Sequence, residues 1–527
     1  MSTIKNAGII GLGTLTSRVL GLVRDAVIAA YFPKLAIDAF QIAFMIPNSF
    51  RRLTAEGAFS VAVTSVFSKT LARGDMTQSR RFVAVITGFG LLLLAMLTLF
   101  GMCFADELTW LAGFGFATEE NKFELAAHLT RWMFPYVLLV SVTALFMGFL
   151  NASGNFLTPS IGPILLNVAL ITCTVGLVGP YRSLNWNPIY ALVPGVLVGG
   201  GLQMISQLPA MARAGLLIRP TFDVKHQGLR RVLKLTAPMV FGATAYQAGL
   251  FLSSSLASTL GEGAVTYIQF ATRLMELPLA VLVMSISTAT LPSLSALLGE
   301  GRIEEMKRTY CQALRLAFFV ATPAMTALVA LAEPITTVLY QRGLFTHADV
   351  IETSAAVSWM ALGICAVALV RQSVPVFYAL ENTKTPVLMS LVNLVVYGLS
   401  AIPLKALFGH RGLSMALSLA AVVQGFGLAG SLRLSLGPIG FGPVFRGWLK
   451  MLTAASVSAA SAYAVSLLGV WESGGNSPRN IVVLVAAVVC GVSFYGLATH
   501  LLGITELSMM ARVVFPKLVD EGRTVSK

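Results

Sequence analysis

The sequence predicts an all-α polytopic membrane protein, and three observations support this fold class. First, the 527 residues are 56% hydrophobic and only 11% charged, whereas about 25% of the residues in an ordinary soluble domain are charged. Second, apolar runs of about 20 residues, the length that a helix needs to cross the hydrocarbon core, recur along nearly the whole chain. Third, lysines and arginines concentrate in alternate connecting segments, as in multi-pass proteins.

Breaks at charged or Gly-, Pro- and Asn-rich clusters divide the chain into about fourteen predicted transmembrane helices. They lie near residues 6–32, 36–68, 82–105, 124–150, 156–179, 188–212, 235–259, 264–299, 309–331, 350–380, 386–404, 412–432, 447–470 and 480–503. Basic clusters mostly follow the even-numbered helices. The positive-inside rule therefore predicts that both termini and the even-to-odd loops are cytoplasmic.

The composition also argues against several function classes. The net charge of +14 does not indicate a nucleic-acid partner, because the basic residues alternate between loops. The five cysteines lie in apolar runs without ligand spacing and the five histidines are scattered, so no metal site is expected. The sequence shows no nucleophile–base pair and no Gly-rich phosphate loop before a helix. Neither covalent chemistry nor a cofactor is expected.

An internal repeat predicts two related halves. An Asn-x-x-Thr-Pro sequence occurs at residues 155–159 and again 227 residues later at 382–386, and each copy is followed by an asparagine, Asn167 or Asn393. A repeat of six helices preserves orientation, so the halves should be parallel and related by an axis along the membrane normal. The prediction is two pseudo-symmetric six-helix lobes, residues 1–225 and 226–434. Residues 435–527 then hold two extra C-terminal helices and a cytoplasmic tail.

Charged residues inside the apolar runs form the candidate site. An arginine at the centre of a membrane helix costs roughly 2.5–3.5 kcal/mol to insert, so it normally faces a cavity on a substrate path. Helical spacing predicts three acid–base pairs. These are Arg18 with Asp25, Arg52 with Glu56, and Arg273 with Glu276. Adding Arg24 and Arg51 leaves a positive surplus, which favours an anion, and guanidinium groups bind phosphate oxygens well.

Other interpretations of these charges stay open. The arginines could tether helices through ion pairs or extend to the interface from helix ends. Glu56 and Glu276 could carry protons, although neighbouring arginines favour their ionised forms. Arg371 fits cavity lining and tethering equally well. Ordinary capping could account for Asp38 and Asn48.

Longer strings of the sequence resemble the MurJ (MviN) lipid II flippases of the MOP exporter superfamily. The matching strings are residues 16–21, 24–25, 38–40, 47–48, 51–53, 56–60, 273–276 with Pro278, Gly343 with 345–346, and Tyr378 with 383–386. The resemblance implies two lobes around a central cavity, with the last two helices forming a groove for a polyprenyl tail. It also implies a cargo, lipid II, the undecaprenyl-pyrophosphate-linked disaccharide-pentapeptide precursor of peptidoglycan. Lipid II would move to the outer leaflet of the bacterial cytoplasmic (inner) membrane.

The resemblance and the charge pattern together assign the candidate residues. Substrate binding is expected of Arg18, Arg24, Arg51, Arg52 and Arg273, and support or gating of Asp25, Asp38, Asn48, Glu56, Glu276 and Arg371. The resemblance implies that Arg18, Arg24 and Arg273 meet the pyrophosphate. Two departures lie beside this set: Thr272 stands where family members often have an acid, and Ala280 where they often have glycine.

The expected function is therefore a flippase working by alternating access, not an enzyme. One alternative is an exporter of another lipid-linked oligosaccharide or of a small anion, since arginines rather than acids dominate the apolar runs. The other is a non-transporting membrane scaffold, which would tolerate loss of the buried arginines. Expected partners are lipid II, the bilayer and cell-wall synthesis enzymes; no nucleic acid is expected.

Overall fold

The computed structural model describes residues 2–54, 58–72, 74–155, 157–223, 225–279 and 283–507. Within these ranges, the regular elements are α-helices and short 3-10 turns, which agrees with the predicted all-α fold class. By packing, the chain forms two compact units. The first unit contains residues up to Thr266 together with Arg342–Phe345, and the second contains Tyr267–Gln341 and the residues from Thr346 onwards.

Ten helices begin and end in the first unit. They are α1 (Ser2–Tyr31), α2 (Lys34–Thr54), α3 (Ala58–Leu71), α4 (Met76–Cys103), α5 (Ala105–Ala112), α6 (Glu120–Met133), α7 (Tyr136–Ala152), α8 (Leu157–Ser183), α9 (Leu192–Arg213) and α10 (Gln227–Ser258). Two 3-10 turns, Phe114–Thr118 and Pro188–Ala191, precede α6 and α9.

The remaining helices follow in chain order, and the first of them starts at the boundary between the units. They are α11 (Ala264–Pro278), α12 (Met284–Gly299), α13 (Ile303–Ala330), α14 (Ala332–Tyr340), α15 (His347–Ala361), α16 (Ile364–Ala379), α17 (Lys384–Leu436), α18 (Phe441–Ser466), α19 (Trp471–Gly474) and α20 (Pro478–Leu501). The run of α17 is interrupted at Gly409, whose φ of 59° and ψ of −137° are not helical.

Several helices have the length and apolar character of membrane spans. In the described ranges, six helices meet this description, and the bent pairs α6–α7 and α15–α16 raise the number to eight when each pair is one span. The bends measure 40° and 45°, and Pro135, which has no amide to donate, stands at the first of them. The protein is a multi-pass membrane protein, and the total of fourteen spans stays a prediction.

The predicted repeat has a local structural counterpart in each half. Before α8, the side chain of Asn155 accepts a hydrogen bond from the Thr158 amide at 3.4 Å. Before α17, Asn382 accepts the corresponding bond from the Thr385 amide at 3.1 Å. Asparagine favours such turns because its side chain mimics a backbone carbonyl. The two copies of the motif therefore make the same turn at the start of a helix.

The packing boundary lies later in the chain than the predicted lobe boundary. Helix α10, which the repeat assigns to the second lobe, packs against α2, α3 and α5 in the first unit. Helices α18 and α20 pack together, and α18 also packs against α13, in the second unit. Lobes defined by a repeat and units defined by packing need not coincide, and the lobes stay a prediction.

A loop from the second half completes the first unit. The amide of Leu344 donates to the carbonyl oxygen of Ala30 at 3.1 Å, at the end of α1. Gly343 has a φ of 58°, and a Cβ atom there would lie 2.1 Å from the same oxygen. Only glycine fits this close backbone contact, which explains the glycine in the Gly343 string of the sequence.

Candidate functional site

Arg24 and Asp25 form a buried polar group with Asn167, which joins α1 to α8. Arg24 is 7% exposed, and its Nε and Nη2 donate to Oδ1 of Asp25 at 2.9 and 2.7 Å. Its Nη1 donates to Oδ1 of Asn167 at 3.0 Å. The Asn167 amide group donates in turn to the carbonyl oxygens of Ser17 and Pro163. These bonds fix the orientation of the Arg24 guanidinium group.

The structure extends the predicted pairing of these charges. Helical spacing predicts Asp25 as a partner of Arg18, and the structure shows Asp25 bonded to Arg24. Arg18 is half-buried on α1, about 9 Å before Arg24 along the helix axis at 1.5 Å per residue. Asn167 was not among the predicted site residues. Its place after the repeated Asn-x-x-Thr-Pro motif is the signal that could have identified it.

Of the two arginines of α2, the structure describes the side chain of Arg51 and only the backbone of Arg52. The Nε of Arg51 donates to Oδ1 of Asn48 at 2.9 Å, one helical turn earlier. Asn48 lies inside α2, so ordinary helix capping does not account for it. The backbone of Arg52 continues α2, and Glu56 lies outside the described residues. The predicted pair of Arg52 with Glu56 therefore stays a prediction.

Asp38 caps a helix that is far away in the sequence. Its Oδ1 accepts from the backbone amide and the hydroxyl of Thr266 at 2.9 and 2.7 Å. Its Oδ2 accepts from the Gly263 amide at 2.8 Å. Both amides lie at the start of α11, where no carbonyl of the same helix can reach them. Asp38 therefore supplies the cap of α11, whereas the sequence alone left open an ordinary local role.

Lys122 completes the surroundings of Asp38. Its Nζ lies 3.2 Å from Oδ2 of Asp38 and 4.3 Å from the centroid of the Phe116 ring. Asp38 and Lys122 are 0% and 1% exposed. Sequence reasoning missed Lys122 because it precedes the predicted fourth span, where a lysine is expected to be solvated.

The second unit holds the other predicted residues. Arg273 and Glu276 are half-buried on α11, at a spacing that puts them on one face of the helix. Arg371 of α16 donates from Nη1 to the carbonyl oxygen of Leu279 at 3.2 Å. Its own carbonyl oxygen accepts from the hydroxyl of Ser287 at 2.8 Å. These bonds tie α16 to the end of α11 and to α12, as the tethering interpretation of Arg371 requires.

The sequence departs from the family pattern at Thr272 and Ala280, and the structure describes only Thr272. The hydroxyl of Thr272 donates to the carbonyl oxygen of Ile268 at 2.7 Å, within α11. A threonine can satisfy its hydroxyl in this way inside a helix, so it does not need the partner that an acid would need. Ala280 lies outside the described residues.

Comparisons with known proteins identify the family. The family model described as "Lipid II flippase MurJ" matches residues 28–474. The "Lipid II flippase MurJ" of Burkholderia cenocepacia is 33% identical over 493 residues, which cover 92% of this chain and 94% of the relative. The "Probable lipid II flippase MurJ" of Vibrio cholerae is 33% identical over 520 residues, which cover 95% of this chain and 96% of the relative.

Solved structures share the fold. A structure titled "Lipid II flippase MurJ, inward closed conformation" superposes with a TM-score of 0.75 at 22% identity, covering 94% of this chain and 99% of the other. An inward-facing multidrug resistance MATE family transporter of the MOP superfamily gives a TM-score of 0.66 at 16% identity, covering 81% of this chain and 96% of the other. The fold is thus common to both kinds of transporter, whereas the family model and the relatives distinguish between them. The chain belongs to the lipid II flippase MurJ family.

Proposed function

We propose that this protein moves lipid II from the cytoplasmic to the outer leaflet of the bacterial inner membrane, with both of its termini in the cytoplasm. The observation that carries the proposal is the family match over residues 28–474. The relatives from Burkholderia cenocepacia and Vibrio cholerae are named a lipid II flippase and a probable lipid II flippase. The protein would therefore act as a transporter and not as an enzyme.

The proposed binding chemistry rests on arginine. Lipid II carries a pyrophosphate, and guanidinium groups donate two parallel hydrogen bonds to such oxygens. Arg24 is already buried and oriented by Asp25 and Asn167, so little side-chain freedom remains to be lost when an anion binds. Arg18 and Arg273 are proposed to act on the same group, and Arg51 and Arg52 to add positive charge along the path.

Asp25 is proposed to compensate the charge of Arg24 when no cargo is bound. A buried arginine without a partner is strongly destabilising, because its charge has left water without compensation. Asp25 provides that compensation for Arg24 at 2.7 Å. An incoming pyrophosphate would compete with Asp25 for the guanidinium group. Departure of the cargo would restore the pair, which makes binding reversible.

The proposed cycle is alternating access. Cargo can shift the balance between inward-open and outward-open states only if it binds them with different affinities. Asp38, through its bonds to the start of α11, is proposed as a gating residue, and Asn48, Glu56, Glu276 and Arg371 as supporting residues. A membrane potential that is negative inside favours outward movement of an anion by roughly 2.3 kcal/mol per charge per 100 mV.

Two other functions make different predictions. An exporter of another lipid-linked oligosaccharide or of a small anion would use the same arginines but would not discriminate in favour of lipid II. A membrane scaffold would bind cell-wall synthesis enzymes and would tolerate loss of Arg24. The family match over residues 28–474 favours transport over the scaffold.

The experiment uses cells depleted of their own lipid II flippase. We expect the wild-type chain to restore growth, and Arg18→Ala, Arg24→Ala and Arg273→Ala to fail at comparable protein levels in the membrane. Arg131→Ala is the matched control, because this half-exposed arginine is paired with Asp106 at 3.0 Å. Growth and lipid II translocation that are unchanged in all three test variants would overturn the proposal.

A further inference from the structure

Asp38 has one partner on a neighbouring packed helix and three donors on a separate helix start. Lys122 belongs to α6, and α2 and α6 pack against each other within the first unit. The amides of Gly263 and Thr266 and the hydroxyl of Thr266 belong instead to the start of α11. The carboxylate is therefore shared between a local cation and the end of a distant helix.

The start of α11 is the point where the chain passes from one compact unit to the other. Thr266 is the last residue of the first unit in this part of the chain, and Tyr267 begins the second. The same helix carries Arg273 and Glu276. A movement of α11 during transport would thus have to change the bonds of Asp38.

Release of α11 would remove three hydrogen bonds from a carboxylate that is 0% exposed. Loss of three hydrogen bonds from a charged carboxylate costs free energy unless other groups compensate the charge, so the cation that remains beside Asp38 lowers the free energy of the released state. The Nζ of Lys122 contacts the same Oδ2 atom of Asp38 that accepts from the Gly263 amide. Its ammonium group also lies over the Phe116 ring, a favourable position for a cation that does not depend on α11.

We propose that Lys122 is a positioning residue that keeps the Asp38 carboxylate compensated when the start of α11 leaves it. Lys122 thereby makes the released state accessible and keeps Asp38 ready to cap α11 again. The inference rests on the proposed function in one respect, namely that α11 moves during the transport cycle.

The test measures how often the start of α11 opens. Ala264 is the first residue of α11 and is 4% exposed, so the thiol introduced by Ala264→Cys should react with a maleimide mainly in the released state. The five native cysteines are replaced by alanine in every protein compared. Labelling is measured on the purified protein in detergent without lipid II, so the outcome does not depend on which cargo the protein carries.

The positioning role and a purely structural role predict different changes in the rate of maleimide labelling. Under the proposal, Lys122→Met disfavours the released state and slows labelling, about tenfold for a 1.4 kcal/mol change in the opening equilibrium. Lys122→Arg keeps the charge and should label near the reference rate. The double variant Asp38→Asn with Lys122→Met has no buried charge to compensate, and it should label at least as fast as the reference.

A purely structural ion pair gives another pattern. Its loss would loosen the fold, so Lys122→Met would label as fast as the reference or faster, and that result would overturn the proposal. If Lys122→Met does not fold, Lys122→Gln keeps a polar side chain of similar length and is expected to slow labelling in the same way. Failure of both to fold, with a stable double variant, would show that Lys122 only neutralises Asp38 and would also overturn the proposal.

Discussion

Two buried aspartate contacts, one in each compact unit, join the starts of corresponding helices in different ways. In the first unit, Lys122 of α6 contacts Asp38 of α2, a separation of 84 residues. In the second, the hydroxyl of Tyr267 on α11 donates to Oδ1 of Asp349 on α15 at 2.6 Å, a separation of 82 residues. Under the predicted repeat, α2 corresponds to α11 and α6 to α15. One contact is an ion pair and the other is a hydrogen bond to a phenol.

The two carboxylates also differ in which helix they cap. Asp349 accepts from the amide and the hydroxyl of Thr346 at 2.9 and 2.7 Å, so it belongs to the capping box of its own helix. Asp38 caps α11, a different helix. A cap within one helix stabilises that helix alone, whereas the cap that Asp38 supplies makes the start of α11 at Gly263 and Thr266 depend on a residue of α2. We therefore propose a gating role for the first contact and not for the second.

Removing the charge of Asp38 should have a larger effect on stability and growth than any change in the second contact. Asp38→Asn leaves the ammonium group of Lys122 buried without its carboxylate, which should lower the free energy of unfolding by about 3–5 kcal/mol. We also expect loss of growth in flippase-depleted cells. Thermal unfolding in detergent and growth rescue measure the two effects. A variant with wild-type growth and an unchanged unfolding midpoint would remove the functional distinction between the contacts.

The same substitution in the second unit should have a smaller effect. Asp349→Asn retains a carbonyl oxygen that can accept from Thr346 or Tyr267, so we expect a loss of about 1–2 kcal/mol in the free energy of unfolding. Growth rescue should persist, because this carboxylate caps its own helix. A complete loss of growth at normal membrane levels would show that the second contact also has a gating role.

The smallest effect is expected from Tyr267→Phe. This change removes one hydrogen bond to Asp349 and leaves the bonds from Thr346 in place, so the loss should be about 1 kcal/mol. The unfolding midpoint of the purified variant, compared with that of Asp349→Asn, measures it. A larger shift than that of Asp349→Asn would mean that the Tyr267 ring contributes through packing more than through its hydroxyl.

The sequence predicted the helices more fully than their polar contacts. Apolar runs and breaks located α4, α8 and α20 closely, because helix formation depends on local sequence. Arg24 and Asp25 were both predicted as site residues, because charge in an apolar run is unusual wherever the helix packs. Asn167 and Lys122 were not, because their partners lie 143 and 84 residues away. The sequence offers an indirect signal for Asn167, its place after the repeated Asn-x-x-Thr-Pro motif, and none for Lys122.

Lipid II flipping by this protein can be tested by measuring transbilayer movement of lipid II in liposomes that contain the purified protein. A membrane-impermeant reagent that reacts with the peptide of lipid II reports the fraction exposed outside. We expect the wild-type protein to expose lipid II from the inner leaflet and Arg24→Ala to behave like protein-free liposomes. Equal exposure with wild-type protein and without protein, or equal movement by the wild type and Arg24→Ala, would contradict it.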